Sequence, residues 1–187
     1  MTDDDYALFD STASAVAFAE EYTARPKIRS QMAGIMSVTR KRSGMSPQDW
    51  LNVALTITNA VCDCRQPMAT VYRVLYGGRC VGRDVDAAQD MASHLAPRST
   101  KRLEQVFGLC GAVLRDERLK IHKSNSTEGY RLTLEQMARL SGVSRQQFVT
   151  SKQWPVLLRE ARLLMYAWHD QAEREISDRL GELGMFG

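Results

Sequence analysis

Several residue types and patterns that mark whole classes of protein are scarce in this chain or missing from it. The 187 residues include only four cysteines and three histidines, and no apolar segment follows the acidic start MTDDDYALFD. So few thiols argue against a disulfide-stabilised secreted domain, and the missing apolar segment argues against an export signal. No apolar run is long enough for a membrane-spanning helix. We therefore expect a reduced, cytoplasmic protein without a membrane partner.

Motifs for catalysis are missing as well. His94, His122 and His169 are isolated, and the sequence contains no nucleophile elbow, phosphate loop or metalloprotease motif. Carboxylates are concentrated at the N-terminal start and in the segment after His169, where we expect a solvated helix face. We therefore expect no enzyme, no cofactor and no small-molecule substrate.

The cysteines do not form a metal-binding motif. Cys62 and Cys64 are two residues apart, and on a helix such side chains point to opposite sides, which makes a poor chelate. Cys80, Cys110 or His94 would complete four ligands only if the fold brought them together. We interpret the cysteines as buried reduced thiols and expect no metal.

Basic residues are concentrated in two parts of a chain whose net charge is only +3. Residues 1 to 21 hold six acids and no base, whereas residues 22 to 42 hold six bases and no acid. Residues 97 to 145 hold ten bases against five acids. Because a local excess of Lys and Arg attracts polyanions, this distribution favours a nucleic-acid partner over a neutral solvated surface.

Apolar residues recur at helical spacing along most of the chain. Ser46, followed by Pro47, is a typical helix start, and a later helix is expected from about Ser99 to Leu119. After Pro155 a long last helix keeps one apolar face. We predict an all-α helical bundle that carries two helix-turn-helix units.

One segment breaks the helical period. Leu119 and Ile121 alternate with Lys120 and His122, and a polar turn then leads to Tyr130. This pattern permits a short β-hairpin between the two helix-turn-helix units, and a plain linker fits it equally well.

The stretch LTLEQMARLSGVSRQQFVTSKQW, residues 132 to 154, has the spacing of a helix-turn-helix. Thr133 and Ser144 each begin a capping box, and Gly142 permits the left-handed turn between two short helices. Ala138 and Phe148 are expected to point into the core. The outward face of the second helix enters the major groove in such motifs. We predict DNA contacts from Ser144, Arg145, Gln146, Gln147, Thr150, Ser151 and Lys152.

A looser copy of this pattern lies in DAAQDMASHLAPRSTKRLEQVFG. Met91 and Ala92 correspond to Met137 and Ala138, but Leu103 comes one residue later than the spacing of Phe148 requires. Polar and basic residues surround the expected start of the second helix, where side chains and helix dipole both favour phosphate. The predicted contacts here are Arg98, Ser99, Thr100, Lys101, Arg102 and Gln105.

Residues 69 to 114 resemble the region-4-type helix-turn-helix of sigma factors and of some phage late-gene antitermination proteins of the Q type. The resemblance includes the tyrosines at 72 and 76 before the first helix of the motif. The segment from Ser144 to Leu180 is also similar to the C-terminal helices of another Q-type branch. Some Q-type proteins carry paired Cys-x-x-Cys motifs for zinc, which this chain does not have.

This resemblance implies a protein that binds DNA near a promoter, loads onto paused RNA polymerase and makes it read through terminators. It implies double-stranded DNA and RNA polymerase, with or without its sigma factor, as partners. The long C-terminal helix, Trp168 and the N-terminal arm are the implied polymerase contacts. We divide the chain into a partly flexible arm (1–45), a domain with the sigma-like motif (46–118) and a domain with the second motif and the last helix (119–187).

Two other functions stay open. A dimeric helix-turn-helix repressor or activator of phage or plasmid type would not load onto polymerase, and the apolar VLLREARLLMYAW stretch would form its interface. An adaptor that binds polymerase without touching DNA would leave the basic segments unexplained.

Overall fold

The computed structural model describes residues 8–24, 45–77, 80–122 and 131–186. In chain order their helices are α1 (Thr12–Ala24), α2 (Pro47–Cys62), α3 (Met68–Tyr76), α4 (Val81–Leu95), a 3-10 turn (Ala96–Arg98), α5 (Leu103–His122), α6 (Leu134–Leu140), α7 (Arg145–Thr150) and α8 (Gln153–Glu182). Since these ranges contain no strand, the predicted all-α class is confirmed. Within them, no helix has the length and apolar character needed to cross a membrane. All six bases of the segment from 22 to 42 lie outside the described residues.

Contacts divide the chain into two bodies. Of the described residues, the first body comprises 8–24, 45–65, 76–77 and 172–186, and the second comprises 66–75, 80–122 and 131–171. The division into an arm and two domains made from the sequence stays a prediction.

In the first body α1 packs against α2 through aromatic side chains. The Phe18 ring lies 5.3 Å from Tyr22 and 5.6 Å from Trp50, measured between centroids. Ser46 caps α2 as predicted, because its side chain accepts a hydrogen bond from the backbone of Asp49, whose carboxylate accepts one from Ser46 N–H. Pro47 occupies the first helical position, where a backbone N–H is not needed.

The second body is built on α5, which packs along α4. Arg118 of α5 joins three helices: its Nε donates to the carbonyl of Val74 at 2.6 Å, and Nη1 donates to Asp84 Oδ2 at 3.0 Å. Met91 and Ala92 of α4 are fully buried, as the pattern predicts. The long buried contact makes α5 the central helix of this body.

The extent of α5 corrects two predictions. The helix begins at Leu103 and not near Ser99, because Pro97 lies in the 3-10 turn and Ser99 is extended before the helix starts. Leu103 therefore stands in the exposed first turn, with 46% of its surface accessible, and does not take the place of Phe148.

The C-terminal end of α5 corrects the predicted hairpin. Leu119 and Ile121 belong to the helix, whose last residue His122 has Nε2 at 2.8 Å from the carbonyl of Leu75. The first half of the hairpin is thus wrong, and residues 123–130 lie outside the described part of the chain. Pro155 also differs from its predicted place, since it lies in the first turn of α8, where proline is tolerated.

Candidate nucleic-acid interface

Helices α6 and α7 form the helix, turn and helix that the sequence predicts for residues 133 to 150. Both capping boxes are present: Thr133 caps α6 with Gln136, and Ser144 caps α7 with Gln147. Gly142 adopts the left-handed φ of 68°. Its N–H donates to the carbonyl of Arg139 at 3.1 Å, and Val143 N–H donates to that of Ala138 at 3.0 Å. This is the Schellman pattern of helix termination, which explains the glycine.

The inner side of this motif is anchored to α5 and α8. Phe148 is 3% exposed and stacks on Trp154 with 5.1 Å between ring centroids. Met137 and Ala138 share the same apolar cluster, which α5 completes with Leu109 and Ala112. The predicted inward positions are therefore confirmed, and α7 has one side fixed against protein.

Two further contacts hold α6 in place. The buried carboxylate of Asp116 on α5 accepts from Leu132 N–H at 2.7 Å and from Arg162 Nη2 of α8 at 3.2 Å. At the other end of α6, Gly108 approaches so closely that a Cβ there would meet the carbonyl oxygen of Leu140 at 2.1 Å. The position of α7 is thus set by α5 at both ends of the helix before it.

The outer side of α7 is open to solvent. Ser144, Arg145, Gln146, Gln147, Thr150 and Lys152 are exposed, and Ser151 is half-buried. Among the described residues, no partner binds the side chains of Arg145, Gln146 or Lys152. These three are therefore available to a ligand without breaking a contact.

The remaining polar groups of this side already make hydrogen bonds within the protein. Ser144 Oγ and Gln147 Oε1 take part in the capping box, and Thr150 Oγ1 donates to the carbonyl of Gln146 at 2.8 Å. Helix α7 would lose a capping hydrogen bond if both the oxygen and the nitrogen of the Gln147 amide bound an adenine edge. Gln146 is the better candidate for base contact, a distinction that the sequence pattern did not make.

The second predicted set lies next to the first. Arg98, Thr100 and Arg102 are exposed, whereas Ser99, Lys101 and Gln105 are half-buried. Thr100 Oγ1 donates to Gln153 Oε1 at 2.6 Å, and Lys101 Nζ lies 3.5 Å from Ser151 Oγ. The same Nζ lies 5.3 Å from the ring centroid of Trp154. The segment before α5 therefore borders the segment between α7 and α8.

We call residues 98 to 102 and 144 to 152 together the basic face. Five of them are Lys or Arg and none is acidic. A groove of about 270 Å³ runs between the two segments and is lined by Lys101, Gln105, Val143, Gln147, Thr150, Ser151 and Trp154. The sequence predicted two separate contact sites, whereas the structure joins them into one surface. Gln153 and Trp154 make this connection, and the helix-turn-helix pattern did not indicate that they would contact the segment before α5.

The environments of the cysteines differ. All four are free thiols; Cys64 and Cys110 are buried, as expected, and burial raises the pKa of Cys110 to about 12. Cys62 is exposed, which contradicts the expectation of a buried thiol, because it ends α2 on the solvent side. Hydrogen bonds from the backbone and side chain of Arg83 lower the pKa of Cys80. In the described ranges no cysteine belongs to a group of three or more possible metal ligands.

Trp168 does not have the exposure expected of a polymerase contact. The residue is 9% exposed, and its ring packs edge-on against His94, with 5.9 Å between centroids.

Comparison with known proteins adds no relationship. No family model, no curated protein and no solved structure matches the chain.

Proposed function

We propose that the chain is a sequence-specific, DNA-binding regulator of transcription and that its basic face contacts the duplex. The observation that carries this proposal is the outer side of α7, which is polar, exposed and fixed to the core from behind. A short helix presented in this way is the element that helix-turn-helix proteins insert into the major groove.

The side chains of the basic face divide into two roles. Arg145 and Gln146 carry the groups that pair with guanine and adenine edges, and among the described residues nothing occupies them. Lys101 lines the groove of the same face, and Arg102 and Lys152 are exposed on it. We assign these three cations to phosphates, whose contacts fix the register of the protein on the duplex.

Duplex DNA fits this face better than a single strand does. Proteins that bind single strands stack the bases on exposed aromatic rings. The aromatic rings at this face are buried, since Phe148 is 3% and Trp154 1% exposed. A face with cations and amides but no accessible ring favours groove binding.

The specific form of regulation that we propose is antitermination, in which the protein loads onto promoter-proximal RNA polymerase. This part is supported only by the resemblance of residues 69 to 114 and of the C-terminal helices to Q-type proteins. The alternative is a repressor or activator that binds DNA as a dimer without loading onto polymerase. Neither form includes a catalytic step.

Binding to DNA fragments from the neighbourhood of the protein's own gene tests the proposal. Fluorescence anisotropy over a series of salt concentrations should give an affinity that falls steeply as salt rises. Arg145→Ala should weaken specific binding by roughly 5- to 150-fold, which corresponds to about 1 to 3 kcal/mol. Lys101→Ala should weaken binding to all sequences and reduce the salt slope by about one.

Arg139→Ala is the matched control, because Arg139 is an exposed arginine of α6 outside the basic face. It should leave specific binding close to that of the wild type. Unchanged affinity in both Arg145→Ala and Lys101→Ala would remove the basic face as the DNA site.

Transcription in vitro separates antitermination from the alternative. Purified RNA polymerase should read through a terminator placed downstream of the bound promoter only when the protein is present. Reduced or increased initiation with unchanged termination would instead support the repressor or activator.

A further inference from the structure

Helix α8 has an outer face that lies opposite its buried side. Its buried residues up to Gln171 are Trp154, Leu157, Ala161, Met165 and Trp168. At 3.6 residues per turn, Arg159, Leu163, Tyr166 and Asp170 fall within roughly 60° of one another on the other side. We call these four the outer face. Leu163 is 61% and Tyr166 39% exposed, so two large apolar side chains are in contact with solvent at its centre.

The order of residues on the outer face makes it complementary to itself. The face reads Arg159, Leu163, Tyr166 and Asp170, with apolar residues in the middle and opposite charges at the two ends. Steps of four, three and four residues separate them, and this spacing is the same in both directions. A second identical helix running antiparallel therefore brings Leu163 against the copy's tyrosine and Arg159 against its aspartate.

Local contacts already engage two of the four side chains of this face: Asp170 Oδ1 lies 2.9 Å from Nδ1 of its neighbour His169, and Tyr166 contacts α5. Tyr166 Oη donates to Glu117 Oε2 of α5 at 3.0 Å, which satisfies the hydroxyl and ties the side chain to α5. Among the described residues, no carboxylate pairs with Arg159. A parallel pairing is disfavoured, because it would set arginine against arginine and aspartate against aspartate, and like charges repel.

We propose that a second copy of this chain binds antiparallel along the outer face of α8, about a two-fold axis between Leu163 and Tyr166. Such an interface is isologous, since Leu163 of each copy contacts Tyr166 of the other and Arg159 of each copy contacts Asp170 of the other. The inference stands on α8 alone and does not rest on the proposed function. In combination with the proposed function, a dimer presents two basic faces to DNA.

The oligomeric state of the full chain in solution tests this inference. Sedimentation equilibrium over the micromolar range should give a mass that rises from monomer to dimer with concentration. Leu163→Glu should remain a monomer at every concentration. Val85→Glu, at a similarly exposed apolar position of α4 with 46% accessibility, should dimerise like the wild type.

A charge exchange tests the pairing itself. Arg159→Asp and Asp170→Arg should each weaken the dimer by at least tenfold, because like charges then meet at both ends of the interface. The double variant should recover wild-type dimerisation, since every pair is again of opposite sign. Circular dichroism should show that all variants keep the helical fold, as expected for substitutions on exposed side chains.

Three outcomes would overturn the inference: a wild type that stays monomeric, a Leu163→Glu variant that still dimerises, or a double variant that remains as weak as the singles. DNA titration of the same samples keeps the two proposals apart. A monomer that binds DNA in a salt-dependent way removes only the dimer, whereas a dimer without DNA affinity removes only the proposed function.

Discussion

Replacing Gly108 with alanine should destabilise the protein although alanine is the better helix former. Gly108 lies within α5, and its Cβ would meet the backbone oxygen of Leu140 at 2.1 Å. Ordinary contacts begin at 3.4 Å, so α5 and the end of α6 would have to separate by about 1.3 Å, which is 3.4 minus 2.1. A backbone carbonyl cannot rotate away as the end of a flexible side chain can.

The expected size follows from two opposing effects. Overpacking a well-packed interior costs about 1 to 3 kcal/mol, and a backbone obstacle points to the upper end of this range. In the opposite direction, replacing glycine by alanine within a helix raises the free energy of unfolding by about 1 kcal/mol, because alanine has the higher helix propensity. We therefore expect Gly108→Ala to lower the free energy of unfolding by about 2 kcal/mol.

Gly111→Ala is the matched control in the same helix. A Cβ at Gly111 meets only the Cβ of Ala88 at 3.9 Å, which is an ordinary contact. Only the difference in helix propensity then remains, and the free energy of unfolding of this variant should rise by about 0.5 to 1 kcal/mol. Urea unfolding followed by circular dichroism should separate the two variants by about 1 M in midpoint. If Gly108→Ala is as stable as Gly111→Ala, the close approach of α5 and α6 is wrong.

Two further predictions concern the core and the thiols. Phe148→Ala should lower the free energy of unfolding by about 3 to 5 kcal/mol, measured in urea, because it removes a buried ring stacked on Trp154. Val149→Ala, at the exposed neighbouring position, should change it by less than about 0.5 kcal/mol. Equal effects of the two substitutions would place Phe148 outside the core. Because Arg83 lowers the pKa of Cys80, the alkylation rate of Cys80, followed by peptide mass spectrometry, should reach its midpoint at a lower pH in the folded chain than in urea. Arg83→Ala should raise that midpoint. A midpoint of the folded chain at or above the urea value would contradict the assigned hydrogen bonds.

The parts of the fold that depend on neighbouring residues could be predicted from the sequence. Capping boxes at Ser46, Thr133 and Ser144 need only residues three positions apart, and the left-handed Gly142 follows from the absence of a Cβ. Once the start of α7 is fixed, the helical period determines that Phe148 points inward. The exposed residues of α7 were predictable for the same reason.

The parts that depend on distant contacts could not be predicted. The hydrogen bond of Thr100 to Gln153 joins residues 53 positions apart, and no local pattern indicates it. The extension of α5 to His122 was missed because alternating Leu119 and Ile121 also fit a strand, while the packing that favours a helix comes from elsewhere in the chain. These long-range contacts turn two apparent sites into one basic face.

The shortness of α7 affects how mutational screens of this protein should be interpreted. A helix of six residues is far below the length at which an isolated peptide is stably helical in water, so α7 exists only while the interior behind it is intact. If the proposed function holds, selection for loss of DNA binding would therefore recover substitutions at buried hydrophobic positions as well as at contact positions. Only variants whose melting behaviour is normal would identify the groups that touch a nucleotide.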